Sequence, residues 1–318
     1  MQFEKINKPL LVIVGPTAAG KTDVAIEIAK RKNAEVISAD SRYFYRGMDI
    51  GTAKPSVEER SSVPHFMIDI SNPDETCSLA LFQEAALACV DDIQKRGKLP
   101  ILVGGTGQYV QAVIEGWNLP SQAPDTRLRE VLLQWGNELG ALTLYEKLKI
   151  IDPEAAAHIE YQNLRRTIRA LEVIFLTGQR FSAQRRKHGS PFSYLTIGLR
   201  RPRKELYERI DRRIESMIAN GFEEEVQTLL DAGYSPNLPS MSAIGYREMV
   251  AYVQGRMSLE EAVVQMKRLT RQFVRRQANW FKESDPDIHW FDMSDHVVNE
   301  IDQYLESGNG WYINNKDT

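Results

Sequence analysis

Apolar residues along this chain follow two rhythms. Short continuous runs stand at PLLVIVG (9–15), AEVISAD (34–40), LPILVGG (99–105) and YLTIGLR (194–200), with a weaker one at HFMID (65–69). Runs of this length, rich in Val, Ile and Leu, predict strands buried on both faces. Between them the spacing changes to threes and fours, which predicts helices over 22–31, 79–96 and 107–115. Val24, Ala25, Ile28 and Ala29 share one face of the first helix. Such alternation predicts a parallel sheet with helices on both faces, an α/β architecture.

The rhythm breaks near Trp117. NLPSQAPD (118–125) holds two prolines and reads as a hinge or linker. From there to about Gly178 only helical spacing is present, over 127–139, 142–150, 152–158 and 163–177, which predicts an all-helical insertion. After the strand at 194–200, helices are predicted over 203–220, 223–232 and 258–283. The expected organisation is a first part of the α/β core (1–119), the helical insertion (120–192), a second part of the core with C-terminal helices (193–311), and a tail (312–318).

Length agrees with that division, since 318 residues exceed one average domain. Hydrophobic residues at 42% and charged residues at 26% exclude a mainly disordered chain. No apolar run approaches the ~20 residues of a membrane span. The N-terminus leads straight into the first strand without the features of a secretory signal. Cys77 and Cys89 lie in no metal-binding spacing and read as free thiols of a cytoplasmic protein. The net charge of −3 conceals an asymmetry: residues 283–318 carry nine acidic side chains and one lysine, leaving the rest of the chain at +5. Two basic stretches stand out, Tyr161–Gly189 with seven Arg/Lys and Arg256–Lys282 with seven.

GPTAAGKT (Gly15, Pro16, Thr17, Ala18, Ala19, Gly20, Lys21, Thr22) matches G-x-x-x-x-G-K-[ST] between a predicted strand and a predicted helix. Glycines let backbone amides cup a phosphate, and the helix N-terminus adds positive potential. Lys21 supplies a point charge and Thr22 a hydroxyl ligand for Mg²⁺. A bound diphosphate group follows; the loop itself leaves open whether ATP, GTP or another diphosphate carries it. A P-loop hydrolase needs a strand ending in an acid beside Mg²⁺. The best strand ends instead in Gly104-Gly105-Thr106, while Asp40 and Asp69 end the others. A transferase is therefore favoured over a hydrolase.

Asp40 stands at the C-terminal end of a strand, where open α/β sheets bind ligands. It reads either as a general base or as a loop carboxylate. Gly104 and Gly105 would let backbone approach a ligand, or would mark only a turn. Arg209 and Arg213 share a helical face and would clamp a phosphate, or would be solvated beside Glu208 and Asp211. Arg268, Arg271 and Arg275 line one face of a helix, as a contact for phosphate backbone or as plain surface. Tyr43, Phe44, Tyr45 and Tyr109 would stack a base or fill the core.

Taken in order, GPTAAGKT, ISADSRYFYRGMDIGTAKP, PHFMIDI, LPILVGGTGQYVQAVIEG, RRTIRALEV, LYERIDRRIESMIANGFEEEV and SAIGYREM resemble the tRNA dimethylallyltransferase (tRNA isopentenyltransferase) family in its bacterial form. The resemblance covers residues 9–282. It implies a P-loop, nucleotide-kinase-like core with a helical insertion that helps hold the anticodon stem-loop. It implies transfer of the dimethylallyl group of dimethylallyl diphosphate to N6 of adenosine 37, 3′ of the anticodon, in tRNAs reading UNN codons, by a cytoplasmic, Mg²⁺-using monomer. Carried over by position, Asp40 is the base, and Thr106 and Arg213 steady the leaving diphosphate. Thr22 holds Mg²⁺, with Asp40 beside it. Asp40, Ser41, Arg42, Tyr43, Thr106, Gln162, Asn163, Leu164, Arg165, Arg166, Ser242, Ala243, Ile244, Gly245, Tyr246, Arg247, Arg271 and Arg275 contact tRNA. A small-molecule kinase and a non-enzymatic RNA-binding nucleotide switch are the competing readings. The first leaves the basic stretches unexplained, and the second leaves Asp40 and Thr106 without work.

Overall fold

The computed structural model describes residues 7–119, 125–184 and 189–312. The chain runs β1 (Pro9–Val14), α1 (Lys21–Lys32), β2 (Ala34–Ser38), α2 (Val57–Ser62), β3 (His65–Phe66), α3 (Leu79–Lys95), β4 (Leu99–Gly104) and α4 (Gly107–Ile114). Then follow α5 (Thr126–Leu139), α6 (Ala141–Ile151), α7 (Pro153–Ala157), α8 (Leu164–Thr177) and α9 (Phe181–Gln184). The chain closes with β5 (Ser193–Arg200), α10 (Arg203–Ala219), α11 (Phe222–Asp231), α12 (Tyr246–Val253), α13 (Leu259–Gln277), β6 (Ile288–Asp292) and α14 (Val297–Ser307). Two compact units result, one of residues up to 77, 82–114 and from 190 onward, the other of residues 78–81 and 115–189. Of the predicted linker, residues 120–124 lie outside the described residues.

The first unit is built on a six-stranded sheet in the order β3-β2-β4-β1-β5-β6. Every pairing is parallel. This is an α/β, P-loop kinase-like fold. The four inner strands are the apolar runs: Leu10 to Val14, Val36, Ile37, Ile101, Leu102 and Ile197 are all buried. Register decides what meets at the sheet's edge. Val14 stands opposite Gly104 on one side and Gly198 on the other, and Ser38 stands opposite Val103. Because all strands run the same way, the segments that follow them (from Gly15, Ala39, Gly105 and Arg201) emerge along one edge.

The elements of the second unit are all helices, α5 to α9 with the first residues of α3. Leu132, Leu144, Leu148, Ile168 and Leu171 form its core. Two buried carboxylates brace it. Glu172 accepts from the amide of Asp125 at 2.8 Å and pairs with Arg129 and Arg169 at 2.9 and 2.7 Å. Asp152 caps α7 through the amide of Ala155 and accepts both the amide and hydroxyl of Ser182. Desolvation of these carboxylates is offset by the donors around them.

Several elements go beyond the sequence expectations. The helix predicted to reach Glu283 ends at Gln277, with turns over 278–280. The acidic C-terminal stretch folds: β6 joins the sheet edge, and α14 buries Val297, Ile301 and Leu305. Its Asp302 and Glu306 pair with Lys32 at the end of α1, where the glutamate lies 2.9 Å away. Tyr312, expected in the tail, exchanges backbone hydrogen bonds with Tyr194 at 2.8 and 3.0 Å and stacks on its ring; residues 313–318 lie outside the described residues. Cys77 and Cys89 are free and half-buried, and burial pushes the Cys77 thiol up to about 11. Among the described residues, no helix is long and apolar enough to cross a membrane.

Candidate functional site

The phosphate loop leaves β1 at Gly15 and enters α1 through Gly20, which holds φ 100°. Left-handed backbone of this kind favours glycine, and Ala18 shares it at φ 66° without that freedom. Arg201, just after β5, and Arg209 of α10 hold the loop in place. Arg209 Nε donates to the carbonyl of Ala18 at 2.9 Å, and Arg201 Nε to that of Ala19 at 3.0 Å. The first-turn amides of any helix lack an acceptor within it, which suits the start of α1 to an anion.

Lys21 donates to the carbonyl of Pro16 at 2.8 Å. Burial lowers its ammonium to about 8; Asp40 opposes that shift and Arg213 adds to it. Three charged groups far apart in sequence therefore share one field. Asp40 accepts the amide of Arg42 at 3.0 Å, an Asx turn that orients its carboxylate. Asp69, the other strand-end acid, is instead committed to Lys54 at 2.6 Å and Arg60 at 2.7 Å. That contrast separates the two strand-end acids: Asp69 is held in two ion pairs, and Asp40 lies within the field of Lys21.

The segment after Asp40 is a braced loop. Tyr43 donates its hydroxyl to the carbonyl of Ala53, and Arg213 donates to that of Thr52, both at 2.9 Å. Burial pushes the Tyr43 phenol up to about 12, and Asp40 adds to this. Glu225 accepts the consecutive amides of Asp49, Ile50 and Gly51 at 2.8, 2.7 and 3.1 Å, together with the hydroxyl of Tyr246 at 2.5 Å. Lys54, buried, ties the carbonyl of Tyr45 to Asp49 and Asp69. Thr106 follows β4 and starts α4, with its carbonyl accepting the amides of Tyr109 and Val110.

Some expectations need correction. Arg209 and Arg213 are not a solvated face: they hold the two loops, and Asp211 instead pairs with Arg271 at 2.5 Å. Phe44 and Tyr45 are buried and cannot stack a base; Phe44 packs on Phe82 and Tyr109. Gly104 and Gly105 do not open space for a ligand. A Cβ on Gly104 would stand 2.6 Å from the carbonyl oxygen of Ala39, and one on Gly105 2.2 Å from Nε2 of Gln277. Tyr246, at 0% exposure, cannot touch RNA, because its hydroxyl is spent bracing the 49–51 loop. Ala243 and Gly245 are buried too, so Ser242 and Arg247 carry the exposed side chains of that segment, with Ile244 half-buried.

The remaining expected RNA contacts fall in three places. Arg42 donates to the carbonyls of Pro239 and Ser240 at 3.1 and 3.3 Å, which joins the 40–43 turn to the approach to Ser242. Arg271 lies over the Tyr207 ring at 5.2 Å and lines a groove with Lys267, Arg268 and exposed Arg275. Gln162, Arg165 and Arg166 are exposed in the helical unit, where Asn163 caps α8 and Leu164 packs on the core. The sequence reading overlooked Arg201, Glu225 and Gln277. Arg201 alone had a signal, since it directly follows a strand at the ligand edge.

Comparison with known proteins bears on this geometry. Residues 43–284 match the family described as IPP transferase, and residues 8–75 match that described as isopentenyl transferase. A tRNA dimethylallyltransferase of Roseiflexus sp. (strain RS-1) is 53% identical over 274 residues, covering 86% of this chain and 90% of that one. Another, from Dehalococcoides mccartyi, is 42% identical over 304 residues, 94% of each chain. The solved tRNA isopentenylpyrophosphate transferase of Bacillus halodurans is 44% identical with a TM-score of 0.70, covering 95% of this chain and 96% of that one. A solved eukaryotic dimethylallyltransferase acting on tRNA is 26% identical with a TM-score of 0.81, covering 95% of this chain and 79% of that one. With the phosphate loop, Asp40 and the arginines of α10 all at one sheet edge, and with matches of this length and identity, the chain belongs to the IPP transferase family of tRNA dimethylallyltransferases.

Proposed function

We propose that this chain transfers the dimethylallyl group of dimethylallyl diphosphate to N6 of adenosine 37, 3′ of the anticodon in tRNAs reading UNN codons. The products are N6-(dimethylallyl)adenosine and diphosphate. The observation that carries this reading is the gathering of cationic side chains around the loop at Gly15–Thr22, with Asp40 close enough to act on the charge of Lys21. Those side chains are Lys21, Arg201, Arg209 and Arg213.

In the reaction, the N6 lone pair attacks C1 of the dimethylallyl group. The C1–O bond breaks and its electron pair leaves with the diphosphate. Asp40 takes the N6 proton, a role typically worth ~10²–10⁴-fold. Arg213 and Thr106 steady charge on the bridging oxygen, and Lys21 and the loop amides hold the outer phosphate oxygens. The residues also fit Mg²⁺. That ion keeps waters and phosphate oxygens and takes only one or two protein oxygens. The Thr22 hydroxyl, next in sequence to Lys21, would supply one such oxygen, and Asp40, which acts on Lys21, would supply the other. When bound, Mg²⁺ would neutralise diphosphate charge.

The acceptor base must leave its stack to reach Asp40. The half-buried Ser41, Arg42 and Arg271 and the exposed Ser242, Arg247 and Arg275, with Gln162, Arg165 and Arg166 of residues 120–192, are assigned to the anticodon stem-loop. The reading places this activity in a monomer acting in the cytoplasm, where the tRNA substrate is found. The test is incubation with Mg²⁺, labelled dimethylallyl diphosphate and unmodified tRNA. Label is expected in the RNA and is expected to vanish when adenosine 37 is replaced. ATP consumption without RNA, and no labelled RNA, would favour the kinase reading.

The arginine face makes a further prediction. Each phosphate contact lowers the slope of log affinity against log salt by roughly 0.7 on single-stranded RNA. Exposed Arg275 should contribute a full contact, so Arg275→Gln is expected to flatten the slope by about that amount. Arg271 is already paired to Asp211, and Arg271→Gln should change it less. Identical slopes for wild type and Arg275→Gln in a filter-binding titration would mark this face as plain surface.

A further inference from the structure

Gln277 ends α13 and is 4% exposed. Its Oε1 accepts the amide of Thr17 at 2.9 Å, and its Nε2 donates to the carbonyl of Gly105 at 3.0 Å. One side-chain amide thus ties the phosphate loop to the turn that carries Thr106. The packing around it is made for that contact. A Cβ on Gly105 would stand 2.2 Å from Nε2, and one on Gly107 2.3 Å from Trp280. The end of α13 therefore lies flush on the 105–107 backbone. Donating and accepting at this reach together is a property of a primary amide, and Gln277 uses both halves.

We propose that Gln277 is a positioning residue for prenyl transfer, holding the phosphate loop and Thr106 at the separation that the donor's diphosphate and bridging oxygen require. The proposal rests on the reading of the site given above. Gln277 acts through the half-buried Thr17 amide and the buried Gly105 carbonyl. Losing it leaves one amide and one carbonyl without a partner, and the loops free to shift. Small displacements of reacting groups cost rate steeply.

The test compares Gln277→Met, which keeps the volume and loses both bonds, with Gln277→Glu. A carboxylate at 277 accepts from Thr17 but repels the Gly105 carbonyl, whereas a protonated carboxyl restores both contacts. Gln277→Met is expected to weaken binding of inorganic diphosphate with Mg²⁺ and to lower kcat/KM for the donor, each about tenfold, with tRNA affinity unchanged. The ratio of Gln277→Glu to wild-type kcat/KM is expected to rise as pH falls. A merely structural role would lower Tm and leave these parameters of the folded enzyme intact, which would overturn the proposal; so would a deficit confined to the KM for tRNA. If Gln277→Met does not fold, Gln277→Asn, with its amide withdrawn by one methylene, carries the same measurement, and wild-type donor parameters there would overturn it. Diphosphate binding is read without RNA or turnover. A wild type that labels no tRNA therefore defeats the transferase reading alone.

Discussion

Replacing Asp40 by asparagine is expected to slow prenyl transfer by roughly 10²–10⁴-fold while tRNA affinity stays within a factor of about two. Asparagine keeps the oxygen that accepts the Arg42 amide at 3.0 Å, so the turn survives and only the base is lost. The competing acid, Asp69, is saturated by Lys54 and Arg60 and offers no substitute. Asp40 also raises the Lys21 ammonium toward its charged form. Part of any loss could therefore come from Lys21, and a rate measured well below pH 8 with saturating donor removes that part. Single-turnover transfer beside tRNA filter binding reads both quantities. A variant with the wild-type single-turnover rate would end the assignment of Asp40 as base.

The second large effect is expected at Lys21. Substitution by methionine removes a charged hydrogen-bond donor from the diphosphate and should weaken donor binding roughly ten- to a hundredfold. The pH dependence carries more information than the loss. Desolvation holds the Lys21 ammonium at about 8. Above that pH the empty site loses its proton, while a bound diphosphate favours the charged form. Binding then takes up a proton, and affinity should fall as pH rises beyond about 8. Calorimetry in buffers of different ionisation heat would detect the uptake in the wild type and none in Lys21→Met. Equal donor affinity in the two proteins, or the same pH slope above 8, would refute the role.

The two predictions differ in how much of their basis the sequence displays. Lys21 is legible from GPTAAGKT alone, because the loop's chemistry is local: glycine, lysine and threonine within eight residues between a strand and a helix. Asp40 is half legible. Its place at a strand end is visible, but that Asp69 is taken up by Lys54 and Arg60, residues from separate segments, is not. The sequence leaves Arg213 open between a clamp and a solvated face; its bond to the carbonyl of Thr52, 161 residues earlier, excludes the second. The acidic stretch after Glu283 looked uninformative because its charge hid the Val297, Ile301 and Leu305 spacing. Its exposed acids belong to an outer strand and helix, and Asp302 and Glu306 answer the basic end of α1.

By itself, the amino-acid sequence determined the parallel α/β core, the phosphate loop and the helical character of 125–178. Each follows from apolar periodicity or turn chemistry within a few neighbouring residues. Only the tertiary structure decided which polar side chains became scaffold. Gln277 reaches Thr17 across 260 positions, Arg209 reaches Ala18 across 191, and Glu225 cups amides at 49–51 from a different helix. The physical reason is that a buried amide or carboxylate takes its partner from whatever backbone groups the sheet register brings within about 3 Å. That register is set by the packing of the whole core, and no local pattern in the chain encodes it.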